Sequence, residues 1–229
     1  MLDTGMKIVA RIQTDFKSKF GVPRQSGLVE ELRGKIVFEP EYRNPEALRG
    51  LEGFSHIWLL WDFSLAHRDE SSWSPTVRPP RLGGNQRMGV WATRSPFRPN
   101  NIGLSSVKIL QIELHTPEGP IIWVGGADLM DGTPIYDIKP YLPFTDCHPE
   151  ATGGFTDELD STTPLLEVRI PEEIAQHFTA TELAALKGVL AADPRPHYQD
   201  DPNRIYGFRF ADTEIRFQVH GKTLEVLTN

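Results

Sequence analysis

Apolar residues fall at alternate positions in MKIVARIQ, near the start of the chain, as in a strand with one buried face. KIVF repeats the signal over a shorter run. FSHIWLLWDF is apolar at nearly every position, which predicts a strand covered on both faces. Further strands are predicted at MGVWAT, LSSVKILQIEL, IIWVGGADL and PIYDIKPY. Asn44-Pro45-Glu46 supplies an N-cap, a proline for the first helical position and an acid for the first turn, so a brief helix runs through Leu48 and stops at Gly50. Short strands at this spacing with one short helix predict a mainly β chain built on a small antiparallel barrel.

The pattern changes past Tyr141. PFTDCHPEATGGFTDELDSTTP mixes glycine, proline, threonine and acids without periodicity, as a linker does. TATELAALKGVLAAD has apolar residues at helical spacing, with Thr179 or Thr181 available as the cap, and the prolines of DPRPHY close it. RIYGFRFA, EIRFQVH and TLEVLT read as three strands, the last two turning at Gly221. The expected organisation is a barrel domain at 1–145, a linker at 146–164 and a small α+β domain at 165–229.

Composition adds limits. With 229 residues, 39% hydrophobic and 24% charged, this is ordinary globular material for one main domain and an appendage. Neither a signal-peptide pattern nor an apolar run of about 18 residues is present, so no membrane is expected and the expected location is cytoplasmic. Cys147 is the only cysteine, which excludes an internal disulfide and any multi-cysteine metal site; no metal is expected.

Charge is distributed unevenly. The net charge is −7, yet Ser71 to Ile112 contains no acid and carries Arg78, Arg81, Arg87, Arg94, Arg98 and Lys108, leaving −13 for the rest. Such a segment makes a local field that collects anions, and arginine suits planar bidentate contact with carboxylate or phosphate. Pro79, Pro80, Pro96 and Pro99 stiffen the backbone around these arginines. Gly83-Gly84-Asn85 marks a turn, but the surrounding string is neither GxGxxG nor a P-loop, so a Rossmann site is not supported.

The strings KFGVPRQSGLV, LRGLEGFSHIWLL, TVRPPRLGGNQRMGVWATRSPFRPNNIGLSSV and DLMDGTPIYDIKPYLPF, in this order, resemble the TsaA/TrmO family of tRNA methyltransferases, and DPRPHY resembles a motif of that family's C-terminal domain. The resemblance spans nearly the whole chain. It implies a non-Rossmann β-barrel that binds S-adenosylmethionine, a homodimer with pockets near the subunit interface, and methylation of the exocyclic nitrogen of threonylcarbamoyladenosine beside the tRNA anticodon.

Carried over by position, the resemblance implies that the cofactor is held by Pro23, Arg24, Gln25, Arg94, Leu104 and the loop of Asp128, Leu129, Met130 and Asp131. The residue types suit the ligand: arginine for a carboxylate, aspartate for hydroxyl or amine groups, leucine for a flat adenine. Methyl transfer from a sulfonium chiefly requires alignment, and a ureido-type nitrogen also requires something to take its proton. Asp131, Asp137 and Tyr141 are the candidates for that role. Arg78, Arg81, Arg87 and Arg98 remain for tRNA phosphates or the threonyl carboxylate. Asn101, where relatives carry proline, is expected to loosen its loop, and His67 is displaced from a Phe-His pair of the family.

Simpler readings stand beside these. His56 reads as a hydrogen-bonded core histidine, and Trp58, Trp61 and Trp91 read as core. DLMDGTP is also a turn signal, and Asp137 with Lys139 also forms a solvated strand face or an ion pair. Two further functions are open: a non-catalytic regulator that binds S-adenosylmethionine or a nucleotide, and a plain RNA-binding barrel.

Overall fold

A computed structural model describes residues 5–66, 73–79, 82, 86–157, 165–195 and 201–228. Its N-terminal half contains β1 (Ala10–Thr14), β2 (Arg33–Phe38), β3 (His56–Asp62), β4 (Thr76–Val77), β5 (Met88–Gly89), β6 (Ile102–Glu113), β7 (Ile121–Gly125) and β8 (Pro134–Pro140). Six of these close an antiparallel barrel in the order β1-β2-β7-β6-β3-β8, and β4 pairs with β5 as a separate ribbon. The expected mainly β barrel is therefore present.

The strand calculus of alternation accounts for the barrel core. Ala10 and Ile12 of β1, Ile36 of β2, Ile57 and Leu59 of β3, Val107 of β6, Ile122 and Val124 of β7 and Ile135 of β8 are at most 1% exposed, and they pack as one cluster. Alternation of faces along each strand puts these residues inside. β3 corrects the expectation of a strand covered on both faces: Ile57, Leu59 and Trp61 point inward, while His56, Trp58, Leu60 and Asp62 are half-buried on the outer wall. Gly103 sits opposite Trp61 across the β3–β6 ladder. A Cβ there would collide with the indole ring, so glycine is what lets a tryptophan fit inside so small a barrel.

Two more expectations change. MGVWAT is a strand only over Met88 and Gly89; Val90–Ala92 then form a 3-10 turn, because the partner β4 is only two residues long and supplies no further ladder. β1 begins at Ala10, short of the predicted start. Asn44 caps a 3-10 turn over Pro45–Leu48, accepting from the Glu46 N–H at 3.0 Å, as the sequence indicated.

After β8 come α1 (Pro143–Asp146), β9 (Glu167–Arg169), α2 (Glu172–Ala175), α3 (Ala180–Ala191), β10 (Tyr206–Phe210), β11 (Thr213–His220) and β12 (Thr223–Leu227). β10, β11 and β12 form a meander, and β9, absent from the sequence reading, adds in parallel beside β12. α3 starts with a complete capping box at Thr179 and Glu182, which selects Thr179 over Thr181. The stretch expected as linker, 146–164, begins at the last residue of α1 and contains a 3-10 turn at Gly154–Thr156; residues 158–164 lie outside the described residues.

The C-terminal sheet does not build its core alone. Phe16, Val29 and Leu32, from the loop joining β1 to β2, are buried among Leu186, Val189, Phe208, Phe210, Ile215 and Phe217. Phe16 meets Phe210 edge-on at 5.4 Å between ring centroids, and their backbones form a β-bridge. Gly21, at φ +92°, lies so close to Phe208 that a Cβ would approach the ring to 2.7 Å. The first barrel loop is thus clamped by the C-terminal unit.

Candidate active site at one barrel rim

Strand direction decides which loops can meet. In the antiparallel order found here, β1, β3 and β7 run one way and β2, β6 and β8 the other. The β1–β2 loop (15–32), the β3–β6 crossover (63–101) and the β7–β8 loop (126–133) consequently emerge at the same rim. Pro23, Arg24, Gln25, Arg94, the Asp128–Asp131 run and the arginine segment all lie on these three loops.

The side chains converge further for some of them than for others. Arg94 donates through Nη1 to Oε1 of Gln25, joining the crossover to the first loop. Asp128, from the third loop, accepts from the Ser105 hydroxyl at 2.6 Å, and that hydroxyl in turn accepts from the Trp61 indole N–H at 3.0 Å. Burial pushes the Asp128 carboxyl above its ordinary value; the Ser105 hydroxyl, the Arg94 guanidinium and the Ser26 N–H oppose the shift. Gly27 donates from its backbone to Gly126 at 2.9 Å, which holds the first and third loops together beside Asp128. Gln25, Ser26, Arg94, Ser105 and Asp128 therefore form one polar cluster over the barrel mouth. Leu104 lies on the outer face of β6 opposite Leu60 of β3, and is 51% exposed.

Other candidates sit differently. Leu129 is 1% exposed with its side chain in the barrel core, so only its backbone remains for a ligand, and its carbonyl already accepts from the Thr14 hydroxyl. Met130 is half-buried and its carbonyl accepts from Thr133 at 2.7 Å. Arg24 is exposed and directs Nη2 towards the Arg195 carbonyl of the C-terminal unit at 3.5 Å. Arg195 itself is tied to Asp193 by two contacts of 2.8 Å, a local knot inside DPRPHY whose residues 196–198 lie outside the described residues.

The three proton-acceptor candidates are not brought together. Asp131 is on the rim, where it accepts from the Thr14 N–H at 3.0 Å and pairs with Lys17 at 2.9 Å, raising the Lys17 ammonium above its ordinary value. It faces a cleft of about 590 Å³ between the barrel and α3, away from Asp128. Asp137 is on the outer wall of β8 and pairs with Lys139 at 2.8 Å along the same strand. Tyr141 follows the far end of that 7-residue strand, roughly 23 Å from the rim at about 3.3 Å per residue. Its phenol is pushed up by desolvation, Cys147 and Asp146, the wrong direction for a base. Within one subunit the structure thus separates Tyr141 from Asp131.

The arginines also divide. Arg98 donates through Nη1 to the carbonyls of Thr93 at 2.7 Å and Val90 at 3.1 Å, and its guanidinium lies over the Trp91 ring at 5.0 Å. It shapes the crossover. Arg87 donates to the Thr76 hydroxyl at 2.9 Å across the β4–β5 ribbon, and Arg78 is exposed. Arg81 and His67 lie outside the described residues. Asn101 ties its loop by reaching the Pro96 carbonyl, while its own carbonyl accepts from Phe63 at 2.9 Å; the expected loosening is corrected. His56 is hydrogen-bonded to Ser55 at 2.9 Å, on the outer wall of the barrel and not in its core. Trp61 is core as expected, Trp58 is half-buried and bonded to Asp146, and Trp91 is 65% exposed, against the expectation that it is core.

Known proteins resemble the chain along both halves. Residues 11–147 match the family described as tRNA-methyltransferase O N-terminal domain, and residues 163–228 match the TrmO C-terminal domain. The chain is 40% identical over 230 residues to the Escherichia coli tRNA (adenine(37)-N6)-methyltransferase, covering 94% of this chain and 93% of that one. It is 48% identical over 168 residues to the enzyme of the same name from Eikenella corrodens, covering 72% and 91%. A crystal structure of TrmO from Pseudomonas aeruginosa superposes with a TM-score of 0.77 at 32% identity, covering 99% of this chain and 96% of that one. Both halves thus match the family's models, and the chain belongs to the tRNA-methyltransferase O family.

Proposed function

We propose that the chain transfers the methyl group of S-adenosylmethionine to the exocyclic nitrogen of threonylcarbamoyladenosine beside the tRNA anticodon. The observation that supports this reading is the meeting of Gln25, Arg94 and Asp128 over the barrel mouth in a chain so similar to tRNA (adenine(37)-N6)-methyltransferases. When bound, S-adenosylmethionine supplies an electrophilic methyl on a sulfonium. The residues present fit that molecule. Arg94 offers a guanidinium to a carboxylate, Asp128 a half-buried acceptor to a hydroxyl or amine, and Leu104 an uncovered apolar side chain to a flat ring. Backbone groups of Pro23, Arg24 and Met130 border the same rim.

Alignment is the main demand of such a displacement. Three separate loops are tied to one another here by the Arg94–Gln25 and Gly27–Gly126 bonds, and the third is tied to strand β6 by Asp128–Ser105, so they hold a bound molecule against the barrel end with little freedom left to lose on binding. Asp131 is the acid among the three proton-acceptor candidates that shares this rim, but it faces the α3 cleft with its carboxylate engaged by Thr14 and Lys17, so within one subunit it is not placed to take the ureido proton. Arg78, Arg81 and Arg87 draw tRNA phosphates to the crossover. The chain works as a homodimer in this reading, with exposed Leu65 and Leu104 near the contact. It divides into a barrel domain at 1–145 and an α+β domain at 165–229 that braces the first loop.

The test has two arms. Calorimetric titration with S-adenosylmethionine is expected to saturate for the unmutated protein and to weaken at least tenfold for Arg94→Ala. Mass spectrometry of nucleosides from tRNA incubated with protein and donor is expected to show one added methyl on threonylcarbamoyladenosine. Donor binding without that product would leave a regulator, and absence of donor binding would overturn the reading.

A further inference from the structure

We propose that Trp73 and Trp91 form a platform on which an unpaired base of the tRNA anticodon loop, within about three nucleotides of the methylated adenosine, stacks. The proposal rests on the reading of the chain as a tRNA methyltransferase and goes beyond it to the mode of RNA recognition.

Both indoles are exposed, Trp73 by 52% and Trp91 by 65%, and their rings lie 6.0 Å apart at 34°. The β4–β5 ribbon brings them together: Thr76 pairs with Gly89, Val77 with Met88, and the Val90 N–H continues the pairing to the Pro75 carbonyl at 2.9 Å. Trp73 and Trp91 therefore flank the same end of the ribbon. The guanidinium of Arg98, 5.0 Å from the Trp91 centroid and fixed by the Thr93 and Val90 carbonyls, stiffens the platform from within the protein. Two large apolar rings left in water are costly unless a partner covers them.

Charge identifies the partner. The platform lies in the acid-free stretch from Ser71 to Ile112, beside Arg78 and Arg87, where a negatively charged backbone is attracted and a protein surface rich in arginine or lysine is repelled. A flat, uncharged ring attached to a phosphate backbone meets both demands. Position limits which base. Arg94 follows Trp91 by three residues, so at most about 10 Å of chain separates the platform from the cofactor cluster, and at 3.4 Å per stacked base this spans about three nucleotides.

The experiment measures binding of a fluorescently labelled anticodon stem-loop RNA to the full chain and to Trp91→Ala, Trp73→Ala and Trp91→Phe. Stacking on an aromatic ring predicts about tenfold weaker binding for each alanine variant, largely restored in Trp91→Phe. The slope of log affinity against log salt stays unchanged, because no phosphate contact is lost. Among RNAs that each carry one abasic residue within about three nucleotides of the target adenosine, one binds the unmutated protein about tenfold more weakly and binds Trp91→Ala no worse than the intact RNA does. Trp91 is exposed, so its alanine variant should melt within about 2 °C of the unmutated protein. Unchanged RNA affinity in the alanine variants, a reduced salt slope, or a change in mass by light scattering, which marks the indoles as a contact between copies, would each overturn the platform. Failure of the unmutated protein to bind the stem-loop would overturn both this proposal and the function it rests on, whereas normal binding by the variants overturns the platform alone.

Discussion

Phe16→Ala tests whether the C-terminal sheet positions the loop that bears Gln25. Phe16 is 1% exposed, packs edge-on against Phe210 and hands its backbone carbonyl to the Asp131 N–H at 2.8 Å. Removing a buried phenylalanine ring costs about 3–5 kcal/mol, and at about 2–4 °C per kcal/mol for a chain of this size the melting temperature should fall by roughly 6–20 °C. Stability alone would not show a link, so a matched control is needed. Leu224 on β12 is 0% exposed in the same core but sits beside Val168 of the edge strand β9, two strands from β10, which Phe16 bridges; Leu224→Ala should cost about 2–5 kcal/mol. Titration with S-adenosylmethionine well below both melting temperatures then separates them. Phe16→Ala should weaken donor binding several-fold, because the loop bearing Gln25 loses one of its anchors, and Leu224→Ala should leave it unchanged. Equal weakening in both, or none in either, would refute the idea that the C-terminal unit positions this loop.

Two further outcomes follow from the barrel mouth. Asp128 has a folded carboxyl raised above its ordinary value of 3.8, chiefly by burial, so its contribution to stability is present below that value and is lost as pH rises through the folded one; Asp128→Asn should therefore gain melting temperature relative to the unmutated protein as pH goes from about 4 to 7, while donor binding at pH 7 falls. Gly103→Ala forces a methyl into the Trp61 ring and should cost about 1–3 kcal/mol in urea unfolding, with Trp61 fluorescence shifted in the folded state.

What the sequence disclosed depended on how local the cause was. Alternation is a two-residue property, so the positions of β6, β8 and β11 could be read directly; β7 was legible only as an apolar run, and it ends at Gly125, short of the predicted Leu129. The capping box at Thr179 needs only four consecutive residues and was equally visible. FSHIWLLWDF misled because hydropathy reports what a side chain tolerates, not which face it takes: Trp58 and Leu60 stay half-buried on an outer wall that neighbouring side chains cover only in part. Trp91 misled for the same reason, since no local pattern distinguishes a tryptophan packed in a core from one laid beside a second tryptophan at a surface. Resemblance singled out Gln25, Arg94 and Asp128, but did not show that the side chain of Leu129, next to Asp128, lies in the barrel core.

The deeper limit is long-range. Phe16, Val29 and Leu32 look in sequence like apolar residues of an irregular loop, and nothing within ten positions of them states that their partners lie at Leu186, Phe208 and Phe210. A loop of this length left unanchored would lose conformational entropy on ordering around a ligand; burying three of its apolar side chains in a neighbouring core makes that ordering part of folding. The C-terminal sheet, which contributes none of the side chains in the Gln25–Arg94–Asp128 cluster, then acts on the site through the rigidity of one loop. Substitutions in its core that touch the loop should consequently alter donor affinity, and those on the far side of the sheet should alter stability alone.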